Sequence, residues 1–112
     1  MGNSASECAR TLEGEGASAI GANCGNVDPD QMALIIETIA SETRLPVAAE
    51  PNAGMPRLVN GTTVFDMDAP AFASGVIRCR NAGARILGGC CGTTPEHIRA
   101  LAARLRESAS AV

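Results

Sequence analysis

Arg85-Ile86-Leu87-Gly88-Gly89-Cys90-Cys91-Gly92-Thr93-Thr94-Pro95 decides the fold. Its first residues form a short apolar run. Gly88 to Gly92 is too rich in glycine to continue a strand or begin a helix. Thr94-Pro95 then reads as a helix start, because proline lacks an N–H at a position where no intrahelical bond needs one. The stretch is therefore strand, loop, helix. Reading outward, the same unit recurs. Ala19-Ile20-Gly21-Ala22-Asn23 is a second apolar run, and the helix after it has Asp28 as cap, Pro29 in its first position and Gln31 three residues past the cap. Met32, Ile35, Ile36 and Ile39 line one face of that helix at i, i+3, i+4 and i+7. Val47-Ala48-Ala49-Glu50 follows Pro46 and stops at Pro51-Asn52-Ala53-Gly54, a turn by composition.

The remaining segments fill in the alternation. Met55 to Asp66, with Pro56 and Asn60-Gly61, predicts an extended loop carrying a small hairpin. Asp68 caps a helix whose inner face carries Phe72, Val76 and Cys79, with Gly83 as terminator. A first helix runs from Ser4 or Ser6 to Gly14 or Gly16 with Cys8 and Leu12 facing inward. The last helix points Ile98, Leu101, Ala102 and Leu105 inward. Four helices alternating with three short strands make an α/β protein, with parallel strands joined by right-handed crossovers. The most economical architecture is a partial (β/α)8 TIM barrel. A complete barrel takes about 250 residues, so 112 residues are expected to leave an open sheet whose two edges need cover. Residues 1–107 are expected to form one unit and 108–112 a frayed tail.

Composition excludes several function classes. Nine arginines and no lysines against twelve acids give a net charge of -3, which repels a phosphate backbone. With two aromatic residues, Phe65 and Phe72, the chain has no platform for stacking bases. Nucleic acid is not an expected partner. No apolar run approaches the roughly 20 residues that span a bilayer, and the N-terminus lacks the layout of a secretory signal, so the expected location is cytoplasmic. Met1-Gly2-Asn3-Ser4-Ala5-Ser6 fits the myristoylation pattern, but no basic cluster or second lipid signal follows it. Five cysteines, two of them adjacent, make a poor disulfide framework and point instead to metal binding or catalysis in a reducing compartment.

In parallel α/β folds, reactive groups gather beyond the carboxyl ends of the strands. Cys24 follows the first strand, Asn52 the second, and Cys90 with Cys91 the third, so all four are expected on one rim. Cys8 and Cys79 lie on helix faces and are assigned to the core. Three thiolates suit zinc, a borderline-soft ion of tetrahedral preference, and three protein ligands leave the fourth position for substrate. On composition alone the alternative stands that Cys24 and Cys90 are small buried residues and Cys91 an incidental thiol.

Gly21-Ala22-Asn23-Cys24-Gly25, Pro51-Asn52-Ala53-Gly54-Met55-Pro56 and Gly88 through Ile98 closely resemble the homocysteine S-methyltransferase family. The stretch from Leu58 to Asp66 looks more like the cobalamin-dependent methionine synthase branch than the betaine-dependent one. The resemblance runs over essentially the whole chain and implies a barrel in which Cys24, after the sixth strand, and Cys90 with Cys91, after the eighth, hold a zinc ion that binds the sulfur of homocysteine. Asn52 would lie beside the metal. The bound thiolate would then attack an activated methyl group, giving methionine. By the same resemblance the first five βα units are missing, and with them the groups that hold the amino and carboxylate ends of homocysteine. By that resemblance the folate and corrinoid modules are also absent, and this segment is expected to bind neither the methyl donor nor a corrinoid.

The chain is accordingly expected to be the C-terminal part of a homocysteine-binding domain, completed by the missing barrel portion or by a self-associated copy. A non-catalytic remnant that binds zinc or associates through its sheet edges is the competing reading, and a redox-active Cys90-Cys91 dithiol is a third. His97 is expected as a half-exposed residue in the first turn of the last helix and not as a fourth ligand. Asp66 and Asp68 are expected to cap, and Arg78, Arg80, Arg99, Arg104 and Arg106 to be solvated.

Overall fold

The computed structural model describes residues 2–110; Met1 and residues 111–112, the end of the expected tail, lie outside them. Helix α1 (Ala5–Gly14) starts in a capping box, with the Glu7 N–H donating to Ser4 Oγ at 3.1 Å and the Ser4 N–H donating to Glu7 Oε1. Strand β1 (Ile20–Asn23) follows, then helix α2 (Pro29–Glu42), which begins as its sequence predicts. Gln31 N–H donates to Asp28 Oδ1 at 2.9 Å, the Gln31 side chain accepts from the Asp28 N–H, and Pro29 opens the first turn. Strand β2 (Val47–Glu50) leads into a hairpin of β3 (Pro56–Val59) and β4 (Thr62–Phe65), turned by Asn60 and Gly61 at φ 50° and 80°. Two successive positive φ values are what a two-residue hairpin of this twist requires. Helix α3 (Ala69–Asn81) is capped by Asp68, β5 (Ile86–Leu87) is short, and α4 spans Pro95–Ser110.

The main sheet has the order β1-β2-β5, all parallel. Ile20 faces Val47 and Asn23 faces Glu50 across the first pair, and Ala49 faces Leu87 across the second. Strand alternation sends Ile20, Val47 and Ala49 into the core with Met32, Ile36, Ile39 and Cys79, and leaves Gly21, Asn23, Glu50 and Ile86 exposed on the other face. The helices thus cover one face only. The extents of 45 × 41 × 19 Å describe the resulting two-layer slab. A second cluster of Ala53, Phe72, Ala73, Val76, Ile77 and Leu101 joins α3 to α4 below the ends of β2 and β5.

Two helices are rotated relative to their expected stripes. In α1 the buried residue is Ala9, while Cys8 and Leu12 are exposed, Leu12 by 45%. Ser6 Oγ donates to Glu42 at 2.7 Å and Arg10 pairs with the same carboxylate at 3.3 Å. These ties turn the small Ala5–Ala9 side of α1 onto α2 and carry Cys8 outward, so Cys8 is not a core residue. In α4, Leu101 is buried as expected but Ile98 is 43% exposed, and His97 takes the inner position instead. Arg78 and Arg104 are not purely solvated: the first pairs with Asp30 and the second donates to Ser74 Oγ. Asp66 caps no helix; its Oδ1 accepts from the Met55 N–H and ties the two ends of the hairpin together.

Candidate metal centre

The site is built where the parallel ladder runs past its regular strands. Gly88 N–H donates to Ala49 O, Cys90 N–H to Pro51 O and Ala53 N–H to Cys91 O, the last two at 2.9 Å. The Pro51–Gly54 turn and the Cys90–Cys91 loop are therefore zipped together by backbone bonds. On the other side, Cys24 N–H donates to Glu50 O at 3.3 Å, and the chain then turns through positive φ at Cys24 (58°) and Gly25 (68°). A left-handed conformation costs a residue with a Cβ on the order of 1 kcal/mol, and such local strain collects at functional sites.

Asn52 fastens the two loops to each other. It is 2% exposed, its Nδ2 donates to Gly25 O at 2.6 Å, and its Oδ1 accepts from the Cys91 N–H at 3.1 Å. One amide thus positions the backbone beside Cys24 and the backbone of Cys91 together. The outcome is that the sulfurs of Cys24, Cys90 and Cys91 lie within 4.8 Å of one another, with Cys24 Sγ and Cys91 Sγ 3.6 Å apart. Cys24 and the Cys90–Cys91 pair, 66 and 67 positions apart in sequence, meet because they follow β1 and β5, the two strands that flank β2.

The three sulfurs are not equivalent. Hydrogen bonding to Cys90, then to Cys91 and the Gly25 backbone, holds the Cys24 thiol below its ordinary pKa. Cys91 is pushed up, first by its hydrogen bond with Cys24 and then by the like charge that Cys24 would carry. Cys24 is therefore the first of the pair to ionise. Asn23 Nδ2 lies 3.9 Å from Cys90 Sγ, a further donor aimed at the cluster. Sequence reading missed Asn23. The available signal was strand alternation, which places it on the uncovered face one residue before Cys24.

A fit to zinc can be judged from the donor set. Tetrahedral ligation with Zn–S bonds of about 2.3 Å separates two sulfurs by about 3.8 Å, close to the Cys24–Cys91 spacing. His97 supplies no fourth ligand. Its Nε2 must donate to Met67 O at 2.8 Å, since a carbonyl only accepts, and its Nδ1 accepts from the Thr94 hydroxyl at 2.7 Å. It is 9% exposed, not half-exposed as its sequence position suggests. Its ring stands edge-on to Phe72 with centroids 5.3 Å apart. Cys79 is fully buried, as expected, and lies 3.4 Å from Pro29 O; burial pushes its thiol up to about 11.

The glycines of the loop are needed for space. Gly92 has φ 81°, and a Cβ there would overlap the Phe65 ring, which the hairpin lays over the Cys91–Gly92 turn. The hairpin otherwise stands clear of the body, with Leu58 76% exposed. Among the described residues no helix is long and apolar enough to cross a membrane.

The comparisons with known proteins agree with one another. A sequence profile described as homocysteine S-methyltransferase matches residues 1–105. The chain is 32% identical over 104 residues to methionine synthase of Mycobacterium leprae, covering 92% of this chain and 8% of that protein. It is 34% identical over 116 residues to homocysteine S-methyltransferase 3 of Arabidopsis thaliana, covering 98% of this chain and 32% of the relative. The oxidised form of the homocysteine methyltransferase MmuM from Escherichia coli superposes with a TM-score of 0.68 at 29% identity, covering 92% of this chain and 30% of that one. The chain thus spans about a third or less of the length of the relatives it matches.

Proposed function

The chain belongs to the homocysteine S-methyltransferase family, and from that premise we propose that it forms the thiol-binding part of an enzyme that methylates homocysteine to methionine. Cys24, Cys90 and Cys91 would hold one zinc ion, three donors for an ion that takes four. When bound, zinc supplies a positive charge that favours the ionised form of a substrate thiol at neutral pH. The protein's own work is to hold the three thiols at ligating spacing. The Asn52 amide and the backbone bonds between residues 51–53 and 90–91 do this before any ligand arrives. Methyl transfer forms a carbon–sulfur bond on homocysteine and breaks the donor's bond to carbon, and the thiol proton leaves on binding.

The observation that carries this reading is the convergence of three thiols beyond the carboxyl ends of β1 and β5, the parallel strands on either side of β2. The finer fold reading is a sector of a (β/α)8 barrel. A sheet with sequential strand order and helices on one face leaves the other face to line an interior, and among the described residues β1 and β5 each have one unpaired edge. Further βα units, from the same polypeptide or from a second chain, would pair with those edges.

Metal analysis of the purified full chain tests the reading. We expect about one zinc per chain, lost in Cys24→Ser and in Cys91→Ser, and binding of homocysteine by the zinc-loaded form only. A folded chain that takes up no zinc and is indifferent to both substitutions would overturn it. A chain that takes up zinc yet binds no homocysteine would favour the non-catalytic reading.

A further inference from the structure

Asn23 closes β1 on the uncovered face of the sheet, opposite Glu50 in the ladder. Its Nδ2 lies 3.9 Å from Cys90 Sγ, a contact that spans the strand between β1 and β5. Among the described residues it is the one side chain, besides the cysteines themselves, that brings a donor to any of the three sulfurs. The amide nitrogen and not its oxygen must face an ionised sulfur, because a thiolate only accepts. The main chain of Cys90 is fixed without this contact: its N–H donates to Pro51 O at 2.9 Å, and its carbonyl accepts from the Thr93 N–H at 3.2 Å. The amide is therefore not needed to place Cys90, and what it supplies is partial positive charge at the sulfur.

Three thiolates on a divalent ion carry one negative charge in excess, so each ligand sulfur keeps the electron density of a nucleophile. In a site that methylates a bound thiolate, the ligand sulfurs are competing targets for the same methyl group. Attachment to the metal does not separate the two kinds of sulfur, since both are bound. A hydrogen bond to one of them does, because it withdraws charge from that sulfur alone. We propose that Asn23 lowers the nucleophilicity of Cys90 and so directs a methyl group arriving over the uncovered face to the substrate sulfur. The proposal rests on the methyltransferase reading above. The face is the relevant one: the helices cover the other side of the sheet, and Asn23 meets Cys90 Sγ from the side left open.

The experiment treats the zinc-loaded full chain with methyl iodide and follows each cysteine by peptide mass spectrometry. In this reaction a carbon–sulfur bond forms, the carbon–iodine bond breaks and iodide leaves; the sulfur is already ionised on the metal, so no proton is released. Asn23→Leu should raise the methylation rate of Cys90 about 5-fold, less than the full value of a hydrogen bond to a charged group because Asn23 is exposed. Cys24 and Cys91 should keep the parent's rates, and zinc content before the reaction should match the parent's. Asn23→Ala, smaller and equally without a donor, should do the same, so a folding defect from the leucine does not decide the result. Unchanged methylation of Cys90 overturns the assignment and leaves the methyltransferase reading standing. So does equal acceleration at all three sulfurs, which is what a loosened centre gives. A parent chain that takes up no zinc overturns both.

Discussion

Asn52→Leu removes both hydrogen bonds of the amide while keeping its branched shape, so it reports chiefly on the tie between the Cys24 and Cys91 loops. The parent has Asn52 Nδ2 on Gly25 O at 2.6 Å and Oδ1 on Cys91 N–H at 3.1 Å. Each bond contributes about 1 kcal/mol net, and a buried group left unpaired costs up to about 3 kcal/mol. Gly25 and Cys91 are themselves exposed, so water can reach the orphaned backbone groups and the low end applies. The expected loss is about 2 kcal/mol. With a urea slope of about 1–3 kcal/mol per molar for a small domain, the unfolding midpoint should fall by roughly 1 M at unchanged slope. Asn52→Asp keeps the acceptor for Cys91 N–H but sets a buried carboxylate oxygen against Gly25 O, so it should lose at least as much stability as Asn52→Leu. Zinc affinity provides a second measure. Residues that orient ligands without touching the metal typically change affinity about 10- to 100-fold when removed, so competition against a chelator should show Asn52→Leu weaker by that factor. A midpoint within 0.2 M of the parent's, together with parental zinc affinity, would refute the argument that this amide preorganises the centre.

Two further outcomes follow from the structure. The Cys79 thiol has its folded pKa raised from 9.0 to about 11, so its contribution to stability is fully present below pH 9 and is lost as pH rises through 11, by up to about 3 kcal/mol. Denaturation midpoints measured from pH 8 to 11 should therefore fall less steeply in Cys79→Ala than in the parent, and parallel curves would show that this thiol does not titrate on unfolding. His97→Leu should lose the bonds to Met67 O and Thr94, about 2 kcal/mol or roughly a 10 °C fall in Tm, with zinc content unchanged. Loss of zinc from a still-folded His97→Leu chain would contradict the geometry that uses both ring nitrogens elsewhere.

Element order and the placing of the thiols were legible because they follow from local rules. Caps at Ser4, Asp28 and Asp68, the Asn60-Gly61 turn and the apolar runs fix which segments are helix or strand. Once three βα units are recognised, Cys24, Asn52, Cys90 and Cys91 must share a rim, because parallel strands end on the same side. The rotation of α1 and α4 was not legible. In each helix two overlapping stripes were nearly equivalent, Ala5–Ala9 against Cys8–Leu12 and His97–Leu101 against Ile98–Leu101, and the choice depended on partners far along the chain, Glu42 for the first and Met67 for the second. The roles of Asn52 as a tie and of Asn23 as a donor to sulfur were likewise decided in three dimensions. Periodicity specifies which side chains share a face, but only the packed neighbours determine what that face touches.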